Sequence, residues 1–158
     1  MRVTFWLILV ATLIAVVLAY IRLAPSDPAR WHVDPMMAER PSGDGWLVRP
    51  EGGNERGAVH ACSPETLLDA LDKIALAYPR TRHLAGSMAE GQITYISRSK
   101  VFGFPDYTTV TTLDVDGGAT PAIFARQRFG QKDMGVNRAR IEAWTSSLNA
   151  VPECPPVS

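Results

Sequence analysis

The sequence predicts an α+β protein: a small domain of antiparallel sheet packed with two helices, carried behind one N-terminal transmembrane helix. Three observations lead there. Residues 3–21 contain no charged side chain. Two stretches with apolar residues at helical spacing begin near Ser63 and Asn137. Between them lie three stretches of alternating or Thr/Val-rich composition, separated by glycine-containing turns.

The first stretch is the predicted anchor, residues 1–22. Its nineteen uncharged residues, Val3 to Ile21, are bracketed by Arg2 and Arg22, and as a helix they span roughly 28 Å, close to a hydrocarbon core. Twelve of them are Leu, Ile, Val or Phe, together favouring insertion by about 5 kcal/mol, enough to outweigh Thr4 and Thr12. Trp6 and Tyr20 stand near the ends, where amphipathic rings favour the interface. A cleaved secretory signal with Val17-Leu18-Ala19 at its cleavage site is the competing reading. Such signals have shorter apolar cores, roughly 7–15 residues, so an uncleaved anchor is preferred. Arg22 and Arg30 beyond the span balance Arg2 and the terminal amine, so the positive-inside count is nearly tied. The short leading flank and long following domain favour a single-pass signal-anchor in a cell (inner) membrane, with the domain on the non-cytoplasmic side.

Residues 23–61 read as a Pro/Gly-rich tether, with turn composition at Pro25-Ser26-Asp27-Pro28, at 41–45 and at Gly52-Gly53-Asn54. A flexible spacer has no use for tryptophan. Trp31 and Trp46 are therefore expected to pack on the domain, to lie near the bilayer, or to meet a partner subunit.

The domain proper is predicted over 62–151. Ser63 as N-cap, Pro64 at the first helical position and Glu65 in the first turn open a helix. Leu67, Leu71, Ile74 and Tyr78 share its inner face, and Pro79 ends it. Strands are expected at 92–102, with Ile93, Tyr95 and Ser97 on one side and Thr94, Ile96, Arg98 and Lys100 on the other, then at 107–115 and 122–129, with a turn at Asp116-Gly117-Gly118. Residues 137–149 form the second helix, with Ile141, Trp144 and Leu148 inward. The Pro-rich tail, 152–158, cannot extend it. Cys62 and Cys154 flank the domain; they read either as a disulfide closing a loop of about 90 residues or as two unrelated thiols. No histidine spacing accompanies them, so no metal site is expected.

The densest polar motif runs from Arg126 to Ile141: Arg126-Gln127-Arg128-Phe129-Gly130-Gln131-Lys132-Asp133-Met134-Gly135-Val136-Asn137-Arg138-Ala139-Arg140-Ile141. Structurally, its glycines permit left-handed backbone, and Asp133 or Asn137 can cap the second helix. Arg126 and Arg128, two apart on a strand, share a face and are expected to pair with Asp106 or Asp133. Functionally, a helix N-terminus beside arginine forks suits an anion. Arg126, Arg128, Asp133, Asn137 and Arg140 are therefore the ligand-binding candidates, for an anionic small molecule or lipid headgroup. With Phe104-Pro105-Asp106-Tyr107 upstream, the motif resembles the bacterial and plastid family called domain of unknown function 1499, in which Arg128, Gly130, Asp133, Gly135, Asn137, Arg138, Arg140 and Ile141 fill the pattern. Gln127 stands where many relatives carry serine. The resemblance covers roughly residues 60–150 and implies a family without an established activity, often associated with transmembrane segments.

Little points to catalysis. His32, His60 and His83 have no partner at ligand spacing and are expected to be solvated. Ser97 and Ser99 lack a nucleophile elbow, Cys62 lacks a base, and the glycines of 43–57 lack a phosphate-loop lysine. Sixteen basic residues balance sixteen acidic ones, which excludes a strongly basic nucleic-acid binder. No cofactor is expected. The sequence thus supports a membrane-anchored, non-enzymatic binding or scaffolding domain. The alternatives are an enzyme acting at the Arg128/Asp133/Asn137 corner and an accessory subunit of a membrane complex.

Overall fold

The computed structural model describes residues 2–41, 43, 45–130 and 132–157; Ser42 and Asp44 of the expected loop, and Gln131 of the motif, lie outside the described residues. Helix α1 (Arg2–Leu23) leads, with no buried residue. It is long and apolar enough to cross a membrane. The rest builds one five-stranded antiparallel sheet, ordered β1-β5-β4-β3-β2, from β1 (Trp46–Val48), β2 (Thr81–Ser87), β3 (Gln92–Arg98), β4 (Pro105–Val115) and β5 (Gly118–Gln127). The fold is α+β.

Two of the five strands, β1 and β2, carry no sequence signal. β1 is three residues long inside loop composition. β2 reads Thr-Arg-His-Leu-Ala-Gly-Ser, has no alternation, and bulges between His83 and Ala85. Its register is imposed by β3. At Gly86 (φ +80°) an added Cβ would stand 2.0 Å from the Gln92 carbonyl oxygen, so only glycine allows the two backbones to close.

Each face of the sheet is covered by different material. Helices α3 (Pro64–Ala77) and α4 (Val136–Leu148) lie on one face. There Leu67, Leu68, Leu71, Ile141 and Trp144 bury against Ile93, Tyr95, Val110 and Ile123, each large side chain contributing about 1.5–3 kcal/mol. The opposite face, which carries Thr94, Ile96, Tyr107, Thr109, Phe124 and Arg126, is covered by residues 24–41. These residues were expected to be a tether; they form a strap laid across the sheet. Asp27 caps the short helix α2 (Pro28–Trp31) by accepting from the Ala29 amide. Trp31 stacks on Tyr107 with centroids 3.9 Å apart, and the pair packs with Ile96. Ala38 and Leu47 pack on Phe124. The strap's polar groups are met by the sheet's threonines: Thr109 donates to the Trp31 carbonyl, and Thr94 bonds both Thr109 and the His32 ring.

Cys62 and Cys154 are bonded to each other, with Cα atoms 5.1 Å apart. The bond ties the start of α3 to the chain beyond α4. It is reinforced where the Ala61 amide donates to Pro155 and buried His60 bonds the Cys154 carbonyl. The closed loop spans 92 residues of separation, so the cross-link removes substantial freedom from the unfolded chain. Replacing both cysteines with serine is expected to lower the unfolding free energy by about 3–5 kcal/mol, read by denaturant unfolding of the full chain in detergent.

Candidate functional site

The motif residues divide between the two faces of the sheet. On the helix face, Asp133 accepts from the Gly135 amide through Oδ1 and from the Asn137 amide and side chain through Oδ2. It thereby satisfies the opening of α4, which has no side-chain cap at its own N-cap, Gly135 (φ +80°). Asn137 Oδ1 accepts from Arg140, and the second Arg140 nitrogen donates to Asp106 Oδ2 at 2.8 Å. Asn137 and Arg140 are buried. Burial raises the Asp106 carboxyl above its ordinary value, with Arg140 offsetting part of the effect and Asp133 adding to it. The chain Asp133–Asn137–Arg140–Asp106 pins α4 to β4.

Arg126 and Arg128 are not part of this network, contrary to the expected pairing with Asp106 or Asp133. Asp106 stands opposite Gln127 in the β4–β5 register, and Tyr107 opposite Arg126. The pleat therefore sends Asp106 to the helix face and both arginines to the strap face. Arg126 donates to the Trp31 carbonyl and lies between the rings of Trp31 and Phe124, 5.4 and 4.3 Å from their centroids. Burial brings its pKa down to about 10. Arg128 donates to the carbonyls of Ala24 and Pro25 and to the Tyr107 hydroxyl, which also bonds Ser26. The two arginines act as clasps holding the strap, and with it the foot of α1, on the sheet.

A cleft of about 590 Å3 opens where the two faces meet at the end of the sheet. Its walls are the β3–β4 loop (Ser99, Lys100, Val101, Phe102, Phe104) and the β5–α4 loop (Phe129, Lys132, Met134), closed by Val136 of α4. Asp106, Gln127 and Asp133 supply polar groups to the lining. Phe104 lies between Phe102 and Phe129, and Phe129 in turn meets Tyr20 of α1 edge-on at 6.2 Å. The cleft thus adjoins the last turns of the apolar helix. Its signal in the sequence was modest: Val101, Phe102 and Phe129 fall at the ends of strands expected over 92–102 and 122–129, and the structure ends those strands at Arg98 and Gln127, leaving the apolar residues in glycine-containing loops.

The histidines have structural contacts. His60 is buried, His32 is half-buried between Thr94 and Gln92, and exposed His83 bonds Asp72, which also accepts from the Tyr95 hydroxyl. The sequence favoured solvent over catalysis for all three, and the fold of the strap and tail around them accounts for the burial of His60 and the part-burial of His32. Among the described residues, no three His, Cys, Asp or Glu side chains form a group able to hold a metal ion. Trp31 is 6% exposed, and Trp46 packs on the core beneath Arg138 and donates to Glu55.

A family model described as a protein of unknown function (DUF1499) matches residues 53–148. The chain belongs to the DUF1499 family. No curated protein and no solved structure matches it. The matched DUF1499 span contains α3, α4, strands β2 to β5 and every residue of the cleft, whereas α1 and the clasped portion of the strap precede it.

Two outcomes follow from these roles. Asp133→Ala uncaps α4 and leaves buried Asn137 donors unmet, which is expected to cost about 2–3 kcal/mol in thermal unfolding. The double variant Arg126→Met/Arg128→Met is expected to leave the sheet folded while freeing the strap. Trypsin should then cut after Arg30 roughly tenfold faster than in the wild type, as read by mass spectrometry of the fragments.

Proposed function

We propose that this DUF1499 protein is a membrane-anchored, non-enzymatic binding domain that holds an anionic small molecule or lipid headgroup at the end of its sheet. One observation carries the reading: the foot of α1 is clasped to the sheet rather than joined to it by a free spacer. Arg128 grips the Ala24 and Pro25 carbonyls, directly beyond the last turn of α1. A domain mounted this rigidly presents one fixed end of its sheet to the bilayer, which suits the capture of something found there. The Cys62–Cys154 bond favours an oxidising compartment, hence the non-cytoplasmic side of a cell membrane.

Enzymatic turnover at Arg128, Asp133 and Asn137 draws little support, because Arg128 faces the strap while the other two serve α4 from the opposite face. A subunit contact through Trp31 is disfavoured by its burial.

The reading is tested on sealed membrane vesicles of known sidedness carrying the full chain. The protein is expected to remain in the pellet through an alkaline carbonate wash, to be digested by protease only on the non-cytoplasmic side, and to yield a bound anionic molecule on solvent extraction after mild detergent purification. Recovery in the wash supernatant would remove the anchor, and an empty purified protein would remove the binding role.

A further inference from the structure

Among the features of the fold, the cleft beside α1 combines shape, chemistry and position. We infer that it takes one acyl chain of an anionic phospholipid from the adjoining leaflet, with the phosphate held at its mouth by Arg22, Arg98 and Lys100. The inference rests on the membrane-anchored reading above and names the ligand of that domain.

The cavity first. At about 590 Å3 it falls in the range of about 300–1,000 Å3 typical of sites for small molecules, and most of the surface its lining exposes is apolar, although Lys100, Asp106, Lys132 and Asp133 also reach it. An aqueous metabolite would gain little from Phe104, Phe129 and Val136, whereas a hydrocarbon chain would bury them.

The rim has the same character. Met134 is 92% exposed and Val101 71%, although a soluble surface gains nothing from a projecting methionine and valine. Met134 also holds a left-handed backbone (φ +53°) between two glycines that do the same, Gly130 and Gly135, a conformation a non-glycine residue adopts at a cost. The loop is thus bent so that an apolar side chain projects from the mouth.

Position supplies the occupant. Tyr20 and Arg22 belong to the last turns of the helix that reads as a membrane span. Tyr20 touches Phe129 in the cleft wall, and the Arg22 side chain lies along Gly103, 3.4 Å from where a Cβ would stand, in the loop whose Phe102 and Phe104 form the opposite wall. An apolar cleft whose two walls both touch the foot of such a helix opens at the level where acyl chains meet headgroups.

Charge selects among lipids. Arg98 donates to the Gly103 carbonyl, which brings it beside Arg22. Its pKa is lowered by burial and by the neighbouring positive charges of Arg82, Arg22 and Arg128. Among the described residues, none of these four arginines is ion-paired with a carboxylate. Lys100 and Lys132 also line the cleft, whose two carboxylates, Asp106 and Asp133, are turned to Arg140 and to the opening of α4. Repulsion of this kind is relieved by a bound anion, and a phosphate with its oxygens exposed matches the guanidinium fork.

The test reconstitutes the full-length protein into nanodiscs of phosphatidylglycerol, of phosphatidylcholine, or of an equal mixture, releases it with mild detergent and weighs it by native mass spectrometry. One retained phospholipid per chain is expected, with phosphatidylglycerol favoured from the mixture by about fivefold or more, the effect of one cation near an anionic headgroup. Val136→Trp, which fills the cleft from a half-exposed position, and Phe102→Asp, which makes its rim polar, should each lose the lipid while keeping the wild-type melting curve. Arg22→Gln/Arg98→Gln should keep a lipid but lose the preference. Retention unchanged in both Val136→Trp and Phe102→Asp would assign the lipid to the flank of α1 and overturn the inference, as would the absence of any retained lipid. Retention of a different class of molecule would overturn it and leave the binding domain standing, whereas failure of the protein to enter the discs would overturn both.

Discussion

A sheet buried on both faces is the constraint from which the rest of this structure follows. Successive side chains of a strand point in opposite directions, so each strand here must satisfy two different neighbours. Ile93, Tyr95, Val110 and Ile123 serve the helices, while Thr94, Ile96, Tyr107, Thr109 and Arg126 serve the strap. Exposed, the Tyr107 and Ile96 side of the sheet would leave apolar surface in water. The strap covers it with Trp31 and Ala38, and thereby the segment after α1 becomes part of the domain rather than a leash.

That arrangement joins the apolar helix to the folded body through carbonyl groups. Ala24, Pro25 and Trp31 all present main-chain oxygens to arginines of β5 or its following loop. Guanidinium suits this role because it offers several donors in a plane and stacks on rings at the same time, as Arg126 does between Trp31 and Phe124. Two arginines that look like ligand-binding residues in a linear motif are thus occupied by the chain itself. The strap, with its two prolines flanking Ser26 and Asp27, needs no helix or long strand to be ordered; it needs acceptors facing donors.

The polar network on the helix face holds the end of the sheet in shape without occupying the cleft. Asp133 closes the N-terminus of α4, and Arg140 carries that order across to Asp106 on β4. Breaking a buried pair of this sort from one side leaves an uncompensated charge and costs about 3–5 kcal/mol, so the corner is rigid where the cleft is lined. Fixed behind the cleft is a polar scaffold; in front of it are two apolar loops and the foot of α1.

The order of the main elements could be read from local chemistry. The uncharged run of residues 3–21, the Ser63-Pro64-Glu65 helix start, the alternation around Ile93 to Arg98 and the apolar spacing of Ile141, Trp144 and Leu148 each depend on neighbours within a few residues, and such patterns survive folding unchanged. The family pattern of Arg128, Asp133, Asn137 and Arg140 was legible for the same reason. What the chain could not disclose was anything set by pairing at a distance. The β4–β5 register puts Asp106 opposite Gln127 and so divides the arginines from the carboxylates; a slip of one residue would have reversed that division, and no local signal distinguishes the two. β1 and β2 exist because β5 and β3 offer them partners, and the cleft exists because two loops 30 residues apart end beside Tyr20 and Arg22 of α1. Short-range order came from residue types and their spacing; the placement of the candidate site came from register and strap packing, which only the assembled sheet decides.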